Sequence, residues 1–345
     1  MKYQGKDYRA VWMEGSKVFM IDQNRLPWEF SLVCFENYLD VCNAIVDMTT
    51  RGAGSIGAAA GFAMAQAALR SVDPDFLLKA RSEIEATRPT ARNLFYAAEK
   101  VYVAALQSAN DALIAAHLIA DECAEQGRMI GVNGNSLIQP GDTILTHCNA
   151  GWLALVDYGS ALAPVYAAHH SNKNIRVFVD ETRPRSQGAR LTAWELHQEG
   201  VPHHVIADNA AAYYMSRKQI SLCITGADRI ACNGDTANKT GTLSRAIAAR
   251  HFGIPFYIAA PSSTFDIDCP DGNSIVIEER NADEVLWQTG PDPNGDIHTI
   301  RVVNAQSKAL NPAFDVTPAE LITAFITEKG IFSPNEIQRF YGSKQ

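Results

Sequence analysis

Three stretches of the chain carry residue types suited to chemistry on an anionic substrate. In "ITGADRIACNGDTANKTGT" (224–242) an apolar strand runs up to Asp228, a Gly-Asp turn follows, and Asn238 and Lys239 arrive near the start of the next helical segment. An aspartate at a strand end, partly shielded from water, has its pKa raised into a range useful for acid–base work. The same residue type also caps turns, and Arg229 is an adjacent ion-pair partner. Asn238 and Lys239 suit a phosphate, with a helix start adding backbone donors. A lysine at that place is otherwise an ordinary solvated side chain.

In "GDTILTHCNAGW" (141–152) Cys148 is the last residue before a turn through Asn149 and Gly151. A cysteine in a strand is most often a small apolar filler. At this bend it is equally well placed as a thiol for proton transfer or for stabilising a transition state. Strand alternation points His147 away from it, which disfavours a Cys–His nucleophilic dyad. The third stretch, "TTRGAGSIGAAAGFAMA" (49–65), sets Arg51 and two glycines just ahead of a small-residue helix. Free N–H groups and the helix dipole favour an anion there, and Arg51 adds a bidentate contact. The glycines and alanines equally allow close helix packing, and the pattern is neither a Walker loop nor a complete GxGxxG. "ATRPTARNL" (86–94) adds Arg88, and "ETRPRSQGARL" (181–191) adds Arg183, Arg185, Gln187 and Arg190. Any one of these arginines beside a proline is commonly solvated, and Arg183 also suits an acidic loop at a neighbouring strand end.

The elements that must position these groups follow from periodicity. Residues 8–22 read as two short strands around a Glu14-Gly15 turn. From about 36 to 127 the pattern is helical and Ala-rich. After Gly127, strand-length apolar runs ("DTILTH", "IRVFVDE", "PHHVIAD", "LCITGAD", "PFYIAAP") alternate with helical stretches. That alternation predicts a parallel sheet covered on both faces, so the expected architecture is α/β. The expected organisation is a mainly helical region with a short β-hairpin over 1–127 and a Rossmann-like domain over 128–345. "GPDPNGD" (290–296) reads as a loop before a last strand, "IHTIRVVN". Polar residues follow five successive strands: Asn149, Glu181 to Arg183, Asp208 and Asn209, Asp228 and Arg229, and Ser262 and Ser263. In an open parallel sheet, ligands bind beyond the carboxyl ends of the strands. Asp, Asn and Gly also end strands simply because they suit turns.

The 345 residues carry a net charge of −8, which argues against a nucleic-acid surface spread over the whole protein and leaves room for a local basic pocket. No apolar run approaches a membrane span, no signal pattern opens the chain, and the seven cysteines form no CxxC pair. A reduced, cytoplasmic setting without a zinc site is the expectation.

Taken together, "IDQNRLPWEF", "TTRGAGSIGAAAGF", "TRPTARNL", "ILTHCNAG", "ETRPRSQGARLTAWEL", "GADRIACNGDTANKTGT", "IPFYIAAPSSTFD" and "NPAFDVTPAELITAFITEKG" run through nearly the whole chain. As a set they resemble the methylthioribose-1-phosphate isomerases. The wider superfamily includes ribose-1,5-bisphosphate isomerases and regulatory subunits of translation initiation factor two-B. The resemblance implies an aldose-to-ketose isomerisation of a ribose with phosphate on C1, part of methionine salvage, by a homodimer without metal or organic cofactor. It makes Cys148 and Asp228 the catalytic pair, Asp228 as proton donor. It assigns substrate binding to Arg51, Gly52, Ala53, Arg88, Gln187, Asn238 and Lys239. Gly54-Ser55, Trp152 and Trp28 depart from the family pattern and are expected to reshape the pocket around the C5 substituent. The alternatives are an isomerase of 5-deoxyribose 1-phosphate or ribose 1,5-bisphosphate, and a non-catalytic regulatory subunit that senses a sugar phosphate. A dinucleotide-binding dehydrogenase is disfavoured by the missing GxGxxG.

Overall fold

A computed structural model describes residues 1–89 and 91–337. After a two-residue pairing of Lys2–Tyr3 with Lys6–Asp7, an antiparallel sheet forms from β1 (Val11–Glu14), β2 (Lys17–Ile21) and β3 (Leu32–Phe35), the first two joined at the expected Glu14-Gly15 turn. Five helices follow: α1 (Tyr38–Val46), α2 (Ala53–Arg70), α3 (Pro74–Glu85), α4 (Arg92–Ala105) and α5 (Ala109–Asn135). Helix α2 is buried from Gly54 to Ala68 because alanine and glycine both allow neighbours to approach and, for alanine, favour the helix. A core cluster surrounds it, drawn from all five helices and the sheet.

Helix α5 continues past Gly127, where the sequence suggests that the helical rhythm ends, and stops at Asn135. Gly127 is there for packing: a Cβ at that position would stand 2.7 Å from the Gly159 carbonyl oxygen. The glycine therefore marks a close approach inside a helix rather than its end.

The second half contains β4 (Thr143–Thr146), α6 (Leu162–His170), β5 (Arg176–Asp180), α7 (Ala193–Gln198), β6 (His203–Ile206), α8 (Ala211–Ser216) and β7 (Leu222–Thr225). It continues through β8 (Arg229–Ala231), β9 (Thr236–Lys239), α9 (Thr242–Phe252), β10 (Phe256–Ala259) and β11 (Phe265–Asp266). Then come α10 (Asp283–Leu286), a β12–β13 hairpin (Trp287–Pro291 and Ile297–Arg301), β14 (Phe314–Thr317), β15 (Ala324–Thr327) and β16 (Gly330–Phe332). The main sheet has seven strands in the order β16-β15-β10-β7-β4-β5-β6. All are parallel neighbours except β16, which runs antiparallel to β15. Separate core clusters fill the space on its two faces. The architecture is thus α/β, a helical N-terminal region followed by a mostly parallel, Rossmann-like sheet.

Two features depart from expectation. "IHTIRVVN" does not hold the last strand: it forms β13, the return arm of a hairpin, and β14, β15 and β16 follow it. β15 is buried along its whole length and inserts into the main sheet beside β10. Its four residues, "AFIT", are too short a run to announce a strand. A smaller sheet, in the order β11-β8-β9-β14, has as its first strand in the chain β8, which follows β7.

Candidate active site

All nine residues named from the sequence line a single cavity of about 130 Å³ between the start of α2, the β4 and β7 ends and the small sheet. Arg51, Gly52 and Ala53 come from the start of α2, Arg88 from the loop ahead of α4, and Cys148 from the turn after β4. Gln187 precedes the bulged helical turn Gly188–Thr192. Asp228 lies between β7 and β8, and Asn238 and Lys239 end β9 just ahead of α9.

Gly52 has φ +92, and a Cβ there would stand 2.5 Å from the Ala154 Cα atom, which is backbone and cannot give way. Position 52 therefore needs glycine on both counts. Gly52→Ala is expected to lose more than about 1 kcal/mol of stability, read as a lower melting temperature, because strain and clash add.

The Cys148 backbone is held at φ +65, a costly conformation for a non-glycine residue. It persists because both of its backbone groups are bonded: the N–H donates to Thr182 Oγ1 at 2.8 Å, and the carbonyl accepts from Thr192 Oγ1 at 2.6 Å. The Sγ donates to Gln187 Oε1 at 3.4 Å, the contact of a thiol rather than a thiolate. Burial raises the thiol pKa, against the pull of Arg51 and Lys239. His147 is not its partner. The imidazole is engaged by Asp180 Oδ2 at 2.9 Å and the Thr240 carbonyl at 3.0 Å.

The Asp228 carboxyl is open to the cavity yet surrounded by protein, and burial raises its pKa while Lys239, Arg51 and Arg88 hold it down. It does not pair with Arg229, which reaches Asp266 at 2.7 Å instead. Lys239 is buried; its Nζ donates to the Ala313 carbonyl at 3.0 Å and lies 4.6 Å from the Phe314 ring centre, and burial lowers its pKa. Arg51 donates to Asn149 Oδ1 at 2.6 Å and to the Asn149 carbonyl at 2.8 Å, and no carboxylate among the described residues pairs with it. Arg88 lies 3.6 Å from Glu278, and Arg280, which the sequence reading missed, adds another cation to the lining. The lining carries Arg51, Arg88, Arg92, Arg229, Lys239 and Arg280 against Asp228. Arg92 and Arg229 pair with Asp266, Arg88 with Glu278 and Arg280 with Glu284, and even with these carboxylates counted the charge is net positive, as an anionic ligand requires.

The other arginines of "ETRPRSQGARL" lie outside this cavity. Arg183 donates to the Val285 carbonyl at 2.9 Å, Arg185 pairs with Glu284 at 3.1 Å, and Arg190 donates to the Leu26 and Asn24 carbonyls. Arg190 also lies 4.4 Å from the Trp28 ring centre. Trp28, Arg185 and Arg190 border a separate open groove beside the β12–β13 hairpin, which contains neither Cys148 nor Asp228. Asp208 serves its own loop, accepting from the Thr182 and Arg183 N–H groups at 2.8 and 2.6 Å.

The expected reshaping of the pocket by Ser55 and Trp152 does not occur, since neither lines the cavity. Ser55 is buried, donating to the Leu153 carbonyl at 2.8 Å and accepting from the Val156 N–H at 3.1 Å. Trp152 is buried against Trp194 in the core beneath the sheet. Gly54 borders the cavity but has no room for a side chain, since a Cβ would meet Cys123 Sγ at 2.5 Å.

Among the described residues one His/carboxylate cluster has metal-ligand character: donor atoms of His147, Asp180 and Asp208 lie within 4.8 Å of one another. Arg245 already fills it, with Nε 2.7 Å from Asp180 Oδ2 and Nη2 3.2 Å from Asp208 Oδ1. The donor set suits a buried ion-pair cluster better than a metal ion. Among the described residues no helix is long and apolar enough to cross a membrane.

The cavity is basic, holds a thiol and a carboxyl whose pKa values burial raises, and lies at the carboxyl edge of the parallel sheet of an α/β protein. The sequence pattern of the initiation factor 2 subunit family matches residues 49–334. A relative from Brucella anthropi named methylthioribose-1-phosphate isomerase is 46% identical over 352 residues, covering 97% of each chain. The crystal structure of 5-methylthioribose 1-phosphate isomerase from Pyrococcus horikoshii superposes with a TM-score of 0.86 at 38% identity, covering 98% of this chain and 96% of that one. The translation initiation factor eIF-2B subunit delta from A. fulgidus gives 0.83 at 36% identity, covering 96% and 97%. The chain belongs to the initiation factor 2 subunit family, among the relatives that carry the name methylthioribose-1-phosphate isomerase. The likeness to relatives named as isomerases, over nearly the whole of both chains, makes it an enzyme of the isomerase class.

Proposed function

We infer that the protein converts 5-methylthioribose 1-phosphate to 5-methylthioribulose 1-phosphate, a step of methionine salvage. The observation that carries the reading is the convergence of Cys148 and Asp228 with Arg51, Arg88 and Lys239 on one small cavity. Phosphate on C1 blocks the free aldehyde, so ordinary enolisation has no starting point and the ring must open with the phosphate in place. Asp228, protonated, donates to the ring oxygen as the bond from C1 to that oxygen breaks. The hydrogen on C2 then moves to C1, the C2 oxygen becomes a carbonyl, and its hydroxyl proton is taken up by the Asp228 carboxylate. The thiol of Cys148 assists the hydrogen transfer. The change is redox-neutral within one molecule, so it needs no external oxidant or reductant.

On this reading Arg51, the first residues of α2 and Lys239 hold the phosphate, Arg88 and Asn238 complete the binding set, and Gln187 meets sugar hydroxyls. The protein acts as a cytoplasmic homodimer. Because Ser55 and Trp152 pack into the core, the family departures at these positions give no reason to change the C5 substituent. The test is kcat/KM for methylthioribose 1-phosphate, 5-deoxyribose 1-phosphate and ribose 1,5-bisphosphate, with the first expected to be highest. A higher value for either of the others reassigns the substrate. Binding without turnover of any returns the protein to the non-catalytic relatives of the family.

A further inference from the structure

Glu195, on α7, is fully buried, and the loop that follows Cys148 wraps around its carboxylate. Oε1 accepts from Asn149 Nδ2 at 2.8 Å and from the Leu153 N–H at 3.3 Å. Oε2 accepts from the Trp152 N–H at 2.9 Å and from the Tyr166 hydroxyl at 2.7 Å. Three of the four partners can only donate, and the fourth, the Tyr166 hydroxyl, also donates, a set that favours the carboxylate form against burial. No arginine or lysine among the described residues bonds to it. Even Gly151 answers to this group: a Cβ there would stand 1.8 Å from Oε2.

The counter-charge lies one side chain away. Asn149 turns its amide nitrogen to Glu195 and its amide oxygen to Arg51 Nη1, while its carbonyl accepts from Arg51 Nη2. The amide is thus held between the buried Glu195 carboxyl and the cation of the cavity. Two of the five guanidinium N–H bonds are used in this way, which leaves three for a ligand and fixes the plane in which they point.

We propose that Glu195 is a positioning residue that acts through Asn149 to aim Arg51 at the substrate phosphate. The inference rests on the phosphate-binding role assigned to Arg51 above. Burial pushes the Glu195 carboxyl up to about 7 against the pull of its donors, so the arrangement is one the fold holds at a cost.

The test uses Glu195→Gln and Asn149→Ala in the full-length chain. The readouts are melting temperature, kcat and KM for methylthioribose 1-phosphate, and the Kd of inorganic phosphate by calorimetry. Both variants are expected to raise KM and the phosphate Kd about tenfold while kcat stays within about threefold, the scale of one hydrogen bond to a charged group. Adding Arg51→Ala to either should give no more than Arg51→Ala alone, because all three break one chain. A folded Glu195→Gln protein with wild-type KM and phosphate Kd, or effects that simply add, overturns the proposal. Should Glu195→Gln fail to fold, Asn149→Ala decides, since it leaves the carboxylate three of its donors; unchanged phosphate binding in it is equally fatal. Lack of turnover by the wild-type protein sinks the substrate assignment instead, and the phosphate Kd still judges Glu195.

Discussion

Asp228→Asn is expected to fold normally and to lose about 10²–10⁴-fold in kcat, the range of a positioned general acid. The amide keeps the shape and has no proton of comparable acidity to give to the ring oxygen. The pH profile provides a second reading. Burial raises the Asp228 pKa, and a donor must be protonated, so wild-type kcat/KM should fall as pH rises through that raised value. The surviving activity of Asp228→Asn should lack this limb. Stability should move the other way. A carboxyl whose pKa is raised in the fold contributes fully below its unfolded value and loses that contribution as pH rises through the folded one. At neutral pH the asparagine variant should therefore melt no lower than wild type, and its advantage should vanish in acid. A variant with near-wild-type kcat would remove Asp228 from the chemistry.

Cys148→Ser should be almost as damaging, again about 10²–10⁴-fold in kcat. The hydroxyl can keep the bond to Gln187 but is a far weaker acid and smaller than the thiol. Because the main-chain bonds from Thr182 and Thr192 hold the left-handed turn, the serine protein should keep its loop, and KM should change little. The thiol pKa is raised by burial, so the protonated form persists above the ordinary thiol range. Any activity dependent on the S–H bond is lost only as pH rises past that higher value. Unaltered kcat in Cys148→Ser would return the residue to the packing role its strand-end position also allows.

Asp228 and Cys148 could be picked out before any fold was known, and the reason is local. Asp228, Cys148, Arg51 and Lys239 stand where a strand or helix begins or ends, and such places are marked by turn residues and by a change of hydrophobic period. His147 shows the limit of that reasoning. Alternation correctly kept it from Cys148, but the physical cause is different: the strand stops at Thr146, and the ring is taken by Asp180 and Thr240. Trp152 and Ser55 show the same limit from the other side, since a departure from the family pattern does not say whether the side chain faces ligand or core.

Glu195 was legible only as one acid in the apolar run "LTAWEL". Such a residue reads as solvated until the loop that encloses it is in place, and its four donors come from residues 149, 152, 153 and 166. The short strand β15 became visible only when β10 paired with it.

Residue order and local periodicity were sufficient for the alternating strands, the helical first region, the basic and acidic groups at the strand ends and the family resemblance. Each of these depends on neighbours within a few residues. Tertiary packing settled which arginines share a cavity with Cys148, which family departures are buried, and what holds Arg51 in place. Those depend on contacts such as Ser55 with Leu153 and Arg51 with Asn149, each across 98 residues, which no local pattern encodes.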